Sequence, residues 1–165
     1  MKKIIIKILI VAAALAVAVT IFKFSAQQSA QSDNISESFT MRLLQIYHHI
    51  SGTESADLMK SAIKFNGIVR KYAHFTIYSV LGILSMLMFG LVIFRKWSVP
   101  AWVCAMIFCI IYASCDEFHQ WFVPGRSAEV RDVIIDSCGA LWSSLLVFGI
   151  GKFIAKRINH NKKSF

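Results

Sequence analysis

Charged and polar side chains are concentrated in one stretch, residues 112–136, which lies between two strongly apolar segments. Charge placed against a lipid bilayer is costly, so such groups are either anchors at the membrane surface or parts of a working site. Nine polar groups are more than anchoring requires, and we therefore treat this stretch as the centre of a candidate site. Its polar members are Asp116, Glu117, His119, Gln120, Arg126, Glu129, Arg131, Asp132 and Asp136.

The first part of this stretch has the spacing of a polar helix face. Asp116, His119 and Gln120 are separated by three and four positions and share one face, while Glu117 lies about 100° around the helix. The carboxylates are able to accept hydrogen bonds from basic side chains or to bind a divalent cation. The spacing is not of the HExxH type and few imidazoles are near, so we expect no bound metal.

A turn and an arginine follow this face. Pro124 and Gly125 predict a reversal of the chain at the surface. Arg126 comes directly after the turn, on a backbone that is able to approach a ligand closely, and its forked guanidinium suits phosphate or carboxylate. The alternative is that Arg126 or Arg131 forms a buried ion pair with the preceding carboxylates and has no direct role.

A second polar face is expected on an apolar segment earlier in the chain. Lys71, His74 and Tyr78 lie at positions i, i+3 and i+7, which places them on one side of a helix. Each residue also has a purely structural interpretation. Lys71 would extend its ammonium to the membrane surface, His74 would hydrogen-bond between helices, and Tyr78 would lie in the belt of aromatic residues at the membrane interface. A histidine one turn below a lysine nevertheless favours a functional role.

Two acids open the last apolar segment. Asp132 and Asp136 are four positions apart, so Asp136 lies one turn further into the membrane. An isolated carboxylate there would be costly, and we expect a partner such as His74 or Lys71. The residues that follow form a small-residue face for close helix packing: Gly139, Ala140, Ser143 and Ser144.

The elements that position these residues are predicted to be membrane helices. The chain has 165 residues, of which 56% are hydrophobic, and this is too apolar for an ordinary soluble domain. It has room for about four spans of ~20 residues each. The fold class expected is therefore an all-α integral membrane protein, a four-transmembrane-helix bundle with an outer amphipathic helical loop. The expected spans cover residues 4–24, 72–94, 99–115 and 132–154, with an outer loop at 25–71.

The net charge of +9 predicts orientation in a membrane. Lys and Arg cluster at the ends of apolar runs, which favours anionic head groups over nucleic acid as the partner, and we expect no nucleic-acid partner and no cofactor. The cations at 2–7, 95–96 and 152–163 place both termini in the cytoplasm. The first span is expected to stay uncleaved rather than act as a signal peptide, because its apolar core is long and no A-x-A site follows.

The outer loop is expected to contain a short amphipathic helix and, from about Thr53, the start of a further helix that runs into the second span. Residues 25–38 are small, polar and rich in Gln and Ser, which predicts an irregular segment. From Phe39 to Ile50 apolar residues recur with helical spacing, which indicates an amphipathic helix on the outer surface. His48 and His49 are adjacent and diverge by about 100°, so they do not suit one metal site.

Four cysteines lie in or beside apolar segments. None has CxxC spacing, and buried thiols without disulfides are the favoured interpretation. A disulfide between Cys115 and Cys138 is the alternative.

Three motifs in register carry a resemblance to a known family. They are R-K-Y-A-H-F-T-I-Y-S-V-L-G from Arg70, D-E-F-H-Q-W-F-V-P-G-R from Asp116, and R-D-V-I-I-D-S-C-G-A from Arg131. Together they resemble the VanZ-like family, and F-S-A-Q-Q-S from Phe24 is similar to its Ser/Gln-rich segment. Two positions depart from the family pattern: Asp136 stands where Asn is common, and Ser143 replaces a usual Gly. Residues 39–70 match no motif.

The resemblance implies a short multi-pass protein of the bacterial cytoplasmic membrane and cell envelope. The family is named for a member linked to low-level resistance to the glycopeptide antibiotic teicoplanin. The positions of this chain that fall on the family motifs are Lys71, His74, Asp116, Glu117, His119, Gln120, Arg126 and Asp132.

Three functions are compatible with these residues. The favoured one is an outward-facing pocket that binds a phosphate-bearing lipid or a lipid-linked cell-wall precursor, with Lys71, Arg126 and Arg131 on the anion. The acids Asp116, Glu117 and Asp132 would orient these cations. The second is an enzyme on the same substrates, in which His74 or His119 is the general base or nucleophile. The third is a packing or partner-binding module whose polar patch is an ion-paired plug.

Overall fold

The computed structural model describes residues 1–27, 29–51, 58–126 and 128–163, with side chains described outside 29–33, 48, 51, 58–64 and 162–163. These residues are helical apart from short connections. In chain order the elements are α1 (Lys2–Ser25), α2 (Ser29–Ser51), α3 (Leu58–Leu87) with a π-helical continuation (Met88–Ile93), α4 (Val99–Gln120) and α5 (Val130–Lys163).

Four helical stretches are long and apolar enough to cross a membrane, namely Lys2–Ser25, Phe65–Ile93, Val99–Gln120 and Val130–Asn161. This confirms the predicted bundle of four membrane helices. The helices extend further than the apolar runs that predicted them, because backbone hydrogen bonding continues into polar flanking residues. In particular, α4 continues five residues beyond the predicted end at 115 and carries the polar face with it.

The bundle buries few residues and exposes many large apolar side chains. Its core includes Tyr78, Leu81, Cys109, Ala113 and Ala140, while residues such as Ile111, Trp142 and Ile150 are exposed. An apolar exterior around a small core is the arrangement that a lipid environment stabilises.

Helices α3 and α5 approach each other most closely, through small residues. Gly139 lies directly against the backbone carbonyl of Phe75, and Gly82 lies against Ala140 and Ser143, so neither glycine has space for a methyl group. Ala140 and Ser144 are fully buried. Of the predicted small-residue face, Gly139, Ala140 and Ser143 thus pack against α3. Ser144 instead contacts Trp102 and Met106 of α4.

At the end of the bundle where the π-helical segment connects to α4, the ring of Trp97 fills the space between the helices. Trp97 packs against Gly90 of the π-helical segment and against Gly151 of α5. The chain turns there through Arg95, which has a positive φ of 55°. The connection between the π-helical segment and α4 is therefore a packed junction.

The prediction of an irregular segment at 25–38 is wrong for residues 29–38, which form the first half of α2. Side-chain hydroxyls are accommodated inside this helix, since Ser38 and Thr40 donate to the carbonyls of Asn34 and Ser36 at 2.7 Å each. The helix predicted from Phe39 is the second half of α2, which packs against α3. The part of the expected outer loop at 52–57 lies outside the described residues.

The cysteines form no disulfide. This confirms that the thiols are unpaired and rules out the Cys115–Cys138 alternative in this structure. The prediction that the thiols are buried is right for Cys109 and wrong for Cys115 and Cys138, which are exposed on the bundle exterior.

Candidate functional site

Four helices bring polar residues to one end of the bundle. The last residue of α1, the middle of α3, the last turn of α4 and the first turns of α5 meet there, because the successive spans alternate in direction. The polar cluster of this end comprises Ser25, Lys71, His74, Tyr78, Asp116, Glu117, His119, Gln120, Arg126, Asp132 and Asp136.

The centre of the cluster is formed by three side chains from three different helices. His74, Asp116 and Asp136 place possible ligand atoms within 4.8 Å of one another. The Nδ1 atom of His74 lies 3.4 Å from Oδ2 of Asp136, so the partner expected for the buried acid is confirmed. Asp136 is fully buried and Asp116 is 5% exposed. The charges are therefore held almost out of contact with solvent.

Tyr78 completes the deep side of this centre. It lies one turn beyond His74 on α3 and is fully buried. Its hydroxyl is close enough to Asp116 and Asp136 to interact electrostatically with both carboxylates, yet it forms no hydrogen bond of standard geometry within the described part of the chain. Oδ1 of Asp136 likewise has no hydrogen-bond partner there. Buried polar atoms are normally paired.

Arg126 is connected to the centre through Gln120. Its Nη1 donates to Oε1 of Gln120 at 2.9 Å, and Nε2 of Gln120 donates to Oδ2 of Asp116 at 3.2 Å. Arg126 Nη2 also donates to the backbone carbonyl of Phe24 at 3.4 Å. The preceding Gly125 has a positive φ of 78°, as the predicted turn requires. Thus a loop residue is fixed by both α1 and α4.

Glu117 has a different role from its neighbour Asp116. It is 4% exposed, and its Oε2 accepts a hydrogen bond from the backbone N–H of Glu129 at 2.9 Å. Because Glu129 immediately precedes α5, this contact fixes the start of that helix relative to the end of α4. Arg131, one of the cations expected at the site, is exposed on α5.

Lys71 and Asp132 lie at the more accessible rim. Their Nζ and Oδ1 atoms are 3.9 Å apart, and the side chains are 30% and 18% exposed. At this distance the two groups form no hydrogen bond, and Oδ1 of Asp132 is a buried atom without a hydrogen-bond partner among the described residues. Both groups therefore remain available for another partner.

His119 points towards α1 rather than to the three-residue centre. Its Nδ1 lies 3.4 Å from the Ser25 hydroxyl, and its ring lies 4.6 Å from that of Phe22. Ser25 is 2% exposed and donates to the backbone carbonyl of Asp116 at 3.3 Å. The spacing of residues in the sequence did not predict Ser25 or the Phe24 carbonyl as groups of the site. Their one sequence signal was the motif beginning at Phe24.

A surface groove is lined by Asn34, Ile35, Ser38, Phe39 and Arg42, all from α2. No residue of the polar cluster lines this groove. The cluster itself consists of a buried centre, with Asp116 and Asp136, and a partly exposed rim, with Lys71 and Asp132.

Comparison of the chain with models of protein families supports the family resemblance that the three motifs indicated. The VanZ/LLP1 family model matches residues 9–153, which include the whole polar cluster and reach from α1 into α5. No curated protein and no solved structure matches the chain. Since the family model covers most of the sequence, the chain belongs to the VanZ/LLP1 family.

Proposed function

We propose that this protein binds the phosphate group of a membrane lipid or lipid-linked cell-wall precursor at the polar end of its bundle. The observation that carries the proposal is the way Arg126 is held. Its contacts to the Gln120 side chain and to the Phe24 carbonyl orient the guanidinium at the chain turn, beside the polar cluster. A guanidinium fixed in this way suits bidentate contact with a phosphate.

Lys71 supports the same proposal from α3. It is partly exposed and its contact with Asp132 is long, at 3.9 Å, so a phosphate oxygen would compete effectively for the ammonium. The exposed Arg131 is available to add long-range attraction. The apolar exterior of the bundle suits the hydrocarbon chain of such a ligand, which would remain in the bilayer while the phosphate contacts the rim.

The binding proposal is tested by native mass spectrometry of the full-length protein in mild detergent. The probes are a polyprenyl monophosphate and the corresponding polyprenol, which lacks the phosphate. We expect the phosphate form to bind more tightly, and Arg126→Gln to weaken its binding about tenfold or more, as for loss of a charged hydrogen bond worth about 1.5–3 kcal/mol. Lys96→Gln, which removes an exposed cation beside the turn at the opposite end, is the matched control.

Equal binding of phosphate and alcohol by the wild type would show that only the hydrocarbon chain is bound. Equal binding by Arg126→Gln and the wild type would refute the role of Arg126. Either result would favour the ion-paired plug or a partner-binding module.

The cellular consequence that we propose is lower susceptibility to teicoplanin, with the protein in the bacterial cytoplasmic membrane. Altered exposure or traffic of a bound cell-wall precursor would produce it. Expression of the wild type in a susceptible bacterium should raise the inhibitory concentration of teicoplanin. Arg126→Gln, produced at the same membrane level, should not.

Two side-chain pairs favour an enzyme as the second candidate. His74 is oriented by Asp136 at 3.4 Å, and the Ser25 hydroxyl lies 3.4 Å from His119, which are arrangements of a base with an orienting acid and of a nucleophile with a base. Purified protein should then release phosphate from a polyprenyl pyrophosphate, and His74→Gln should abolish the release. The absence of turnover by the wild type, alongside measurable binding, would leave the binding function alone.

A further inference from the structure

The centre of the cluster holds two acids in a nearly dry environment. Asp116 and Asp136 are 5% and 0% exposed, and their carboxylate oxygens and a His74 ring nitrogen lie within 4.8 Å of one another. Two ionised carboxylates at this separation repel each other strongly where the dielectric constant is low. A cation or a shared proton must therefore balance them.

The neighbouring side chains supply part of that balance. His74 adds one positive charge when protonated, which leaves one of the two negative charges. The Lys71 ammonium lies next to a third acid, Asp132, at 3.9 Å. Arg126 reaches Asp116 through the neutral amide of Gln120. With His74 as a neutral imidazole ligand, a divalent cation at the centre would instead set two positive charges against the two carboxylates.

A second, independent observation points to a ligand in the same place. Oδ1 of Asp136 is a buried atom without a hydrogen-bond partner among the residues described, and the Tyr78 hydroxyl makes no hydrogen bond of standard geometry there. Both residues are fully buried, and the Tyr78 hydroxyl lies close to the Asp116 and Asp136 carboxylates. Unpaired polar atoms are costly in such surroundings. A metal ion with its bound water would give each of them a partner.

We propose that His74, Asp116 and Asp136 bind a divalent transition-metal ion, with the Tyr78 hydroxyl beside its coordination shell. Donor atoms at about 2.0–2.2 Å from one ion lie about 3–4 Å apart, so small side-chain adjustments bring the three groups into position. One imidazole with two carboxylates suits Mn²⁺ or Zn²⁺ better than Ca²⁺ or Mg²⁺, which prefer oxygen ligands alone.

Three protein ligands leave coordination positions open for water or for an oxygen of a bound phosphate. The phosphate contact rests on the proposed function, whereas the metal site itself does not. The test therefore uses the metal alone and contains no lipid. Failure of the metal site and failure of lipid binding are separate results.

The experiment uses full-length protein in detergent, treated with a chelator and then equilibrated with MnCl₂. Metal content by elemental mass spectrometry should reach one Mn²⁺ per chain. Pulsed electron paramagnetic resonance should show coupling to an imidazole nitrogen. Zn²⁺ should displace the Mn²⁺. His74→Gln and Asp136→Asn should each weaken Mn²⁺ binding at least tenfold. His160→Gln, which alters a histidine near the far end of α5, should leave it unchanged.

Absence of stoichiometric Mn²⁺ in the wild type would overturn the proposal and leave a shared proton as the balancing charge. Bound Mn²⁺ without coupling to a nitrogen, or unchanged binding by His74→Gln, would also overturn it, as would an equal loss in His160→Gln. Size-exclusion chromatography shows whether the variants are folded. If they are not, the pulsed resonance spectrum of the Mn²⁺-loaded wild type tests the proposal by itself, because it detects the imidazole nitrogen bound to the metal.

Discussion

Gly139 of α5 lies directly against the backbone carbonyl of Phe75 on α3. Phe75 follows His74 in sequence, and Gly139 lies three positions after Asp136. The contact therefore holds the two helices at the separation that places the His74 ring 3.4 Å from the Asp136 carboxylate. Close packing of a small residue and assembly of the polar centre are two results of one helix contact.

Substitution of Gly139 by Ala should destabilise the protein, because the added methyl group would overlap the Phe75 carbonyl. We expect a loss of about 1–3 kcal/mol in the free energy of unfolding, as is usual for overpacking. Thermal unfolding in detergent measures it. Gly149→Ala is the matched control, since Gly149 lies on the same helix with open space around it. Equal unfolding temperatures for the two variants would contradict the packing role of Gly139.

Tyr112 should fasten α1 to the rest of the bundle. Its hydroxyl donates to the Ala18 carbonyl at 2.6 Å, so Tyr112→Phe should lower the free energy of unfolding by about 0.5–1.5 kcal/mol. Hydrogen exchange of α1 should increase at the same time. Tyr72→Phe, at a side chain that is 70% exposed, should have no such effect. Unchanged exchange in Tyr112→Phe would mean that this hydrogen bond does not fasten α1.

Gln120 should stabilise two charged neighbours at once. Replacement by Leu removes the donor to Asp116 and the acceptor for Arg126. The expected cost is about 1–3 kcal/mol of stability, the penalty for a buried polar group left unpaired. Calorimetry of detergent-solubilised protein tests this, with Ser114→Ala as the control because that hydroxyl is exposed and bonds only within its own helix. A Gln120→Leu variant as stable as the wild type would show that water replaces the amide.

Orientation in the membrane is testable by cysteine labelling. In a variant without the four native cysteines, Glu129→Cys should react with a membrane-impermeant maleimide added outside intact cells. Lys156→Cys should react only after permeabilisation, because the cations of the C-terminal region favour the cytoplasm. Both positions are exposed. The reverse pattern would place the polar cluster on the cytoplasmic side.

The sequence alone determined the class of the protein and the local geometry of its polar residues. Long apolar runs bounded by cations specify four membrane helices, since no other structure satisfies the backbone in lipid at that length. Spacings of three and four residues likewise place Asp116 with Gln120, and Lys71 with His74, on common faces. The cost of a lone buried acid was sufficient to predict that Asp136 has a partner, with His74 and Lys71 as the candidates, and the structure places His74 there.

Only the tertiary structure decided how these faces meet. The rotation of each helix about its axis is set by contacts between distant residues, such as Gly139 with Phe75, and local spacing carries no information on it. For this reason the contribution of Ser25, the turn of His119 towards α1 and the approach of Tyr78 to the two acids were not foreseen. Sequence spacing specified three separate polar faces, and helix packing combined them into one site.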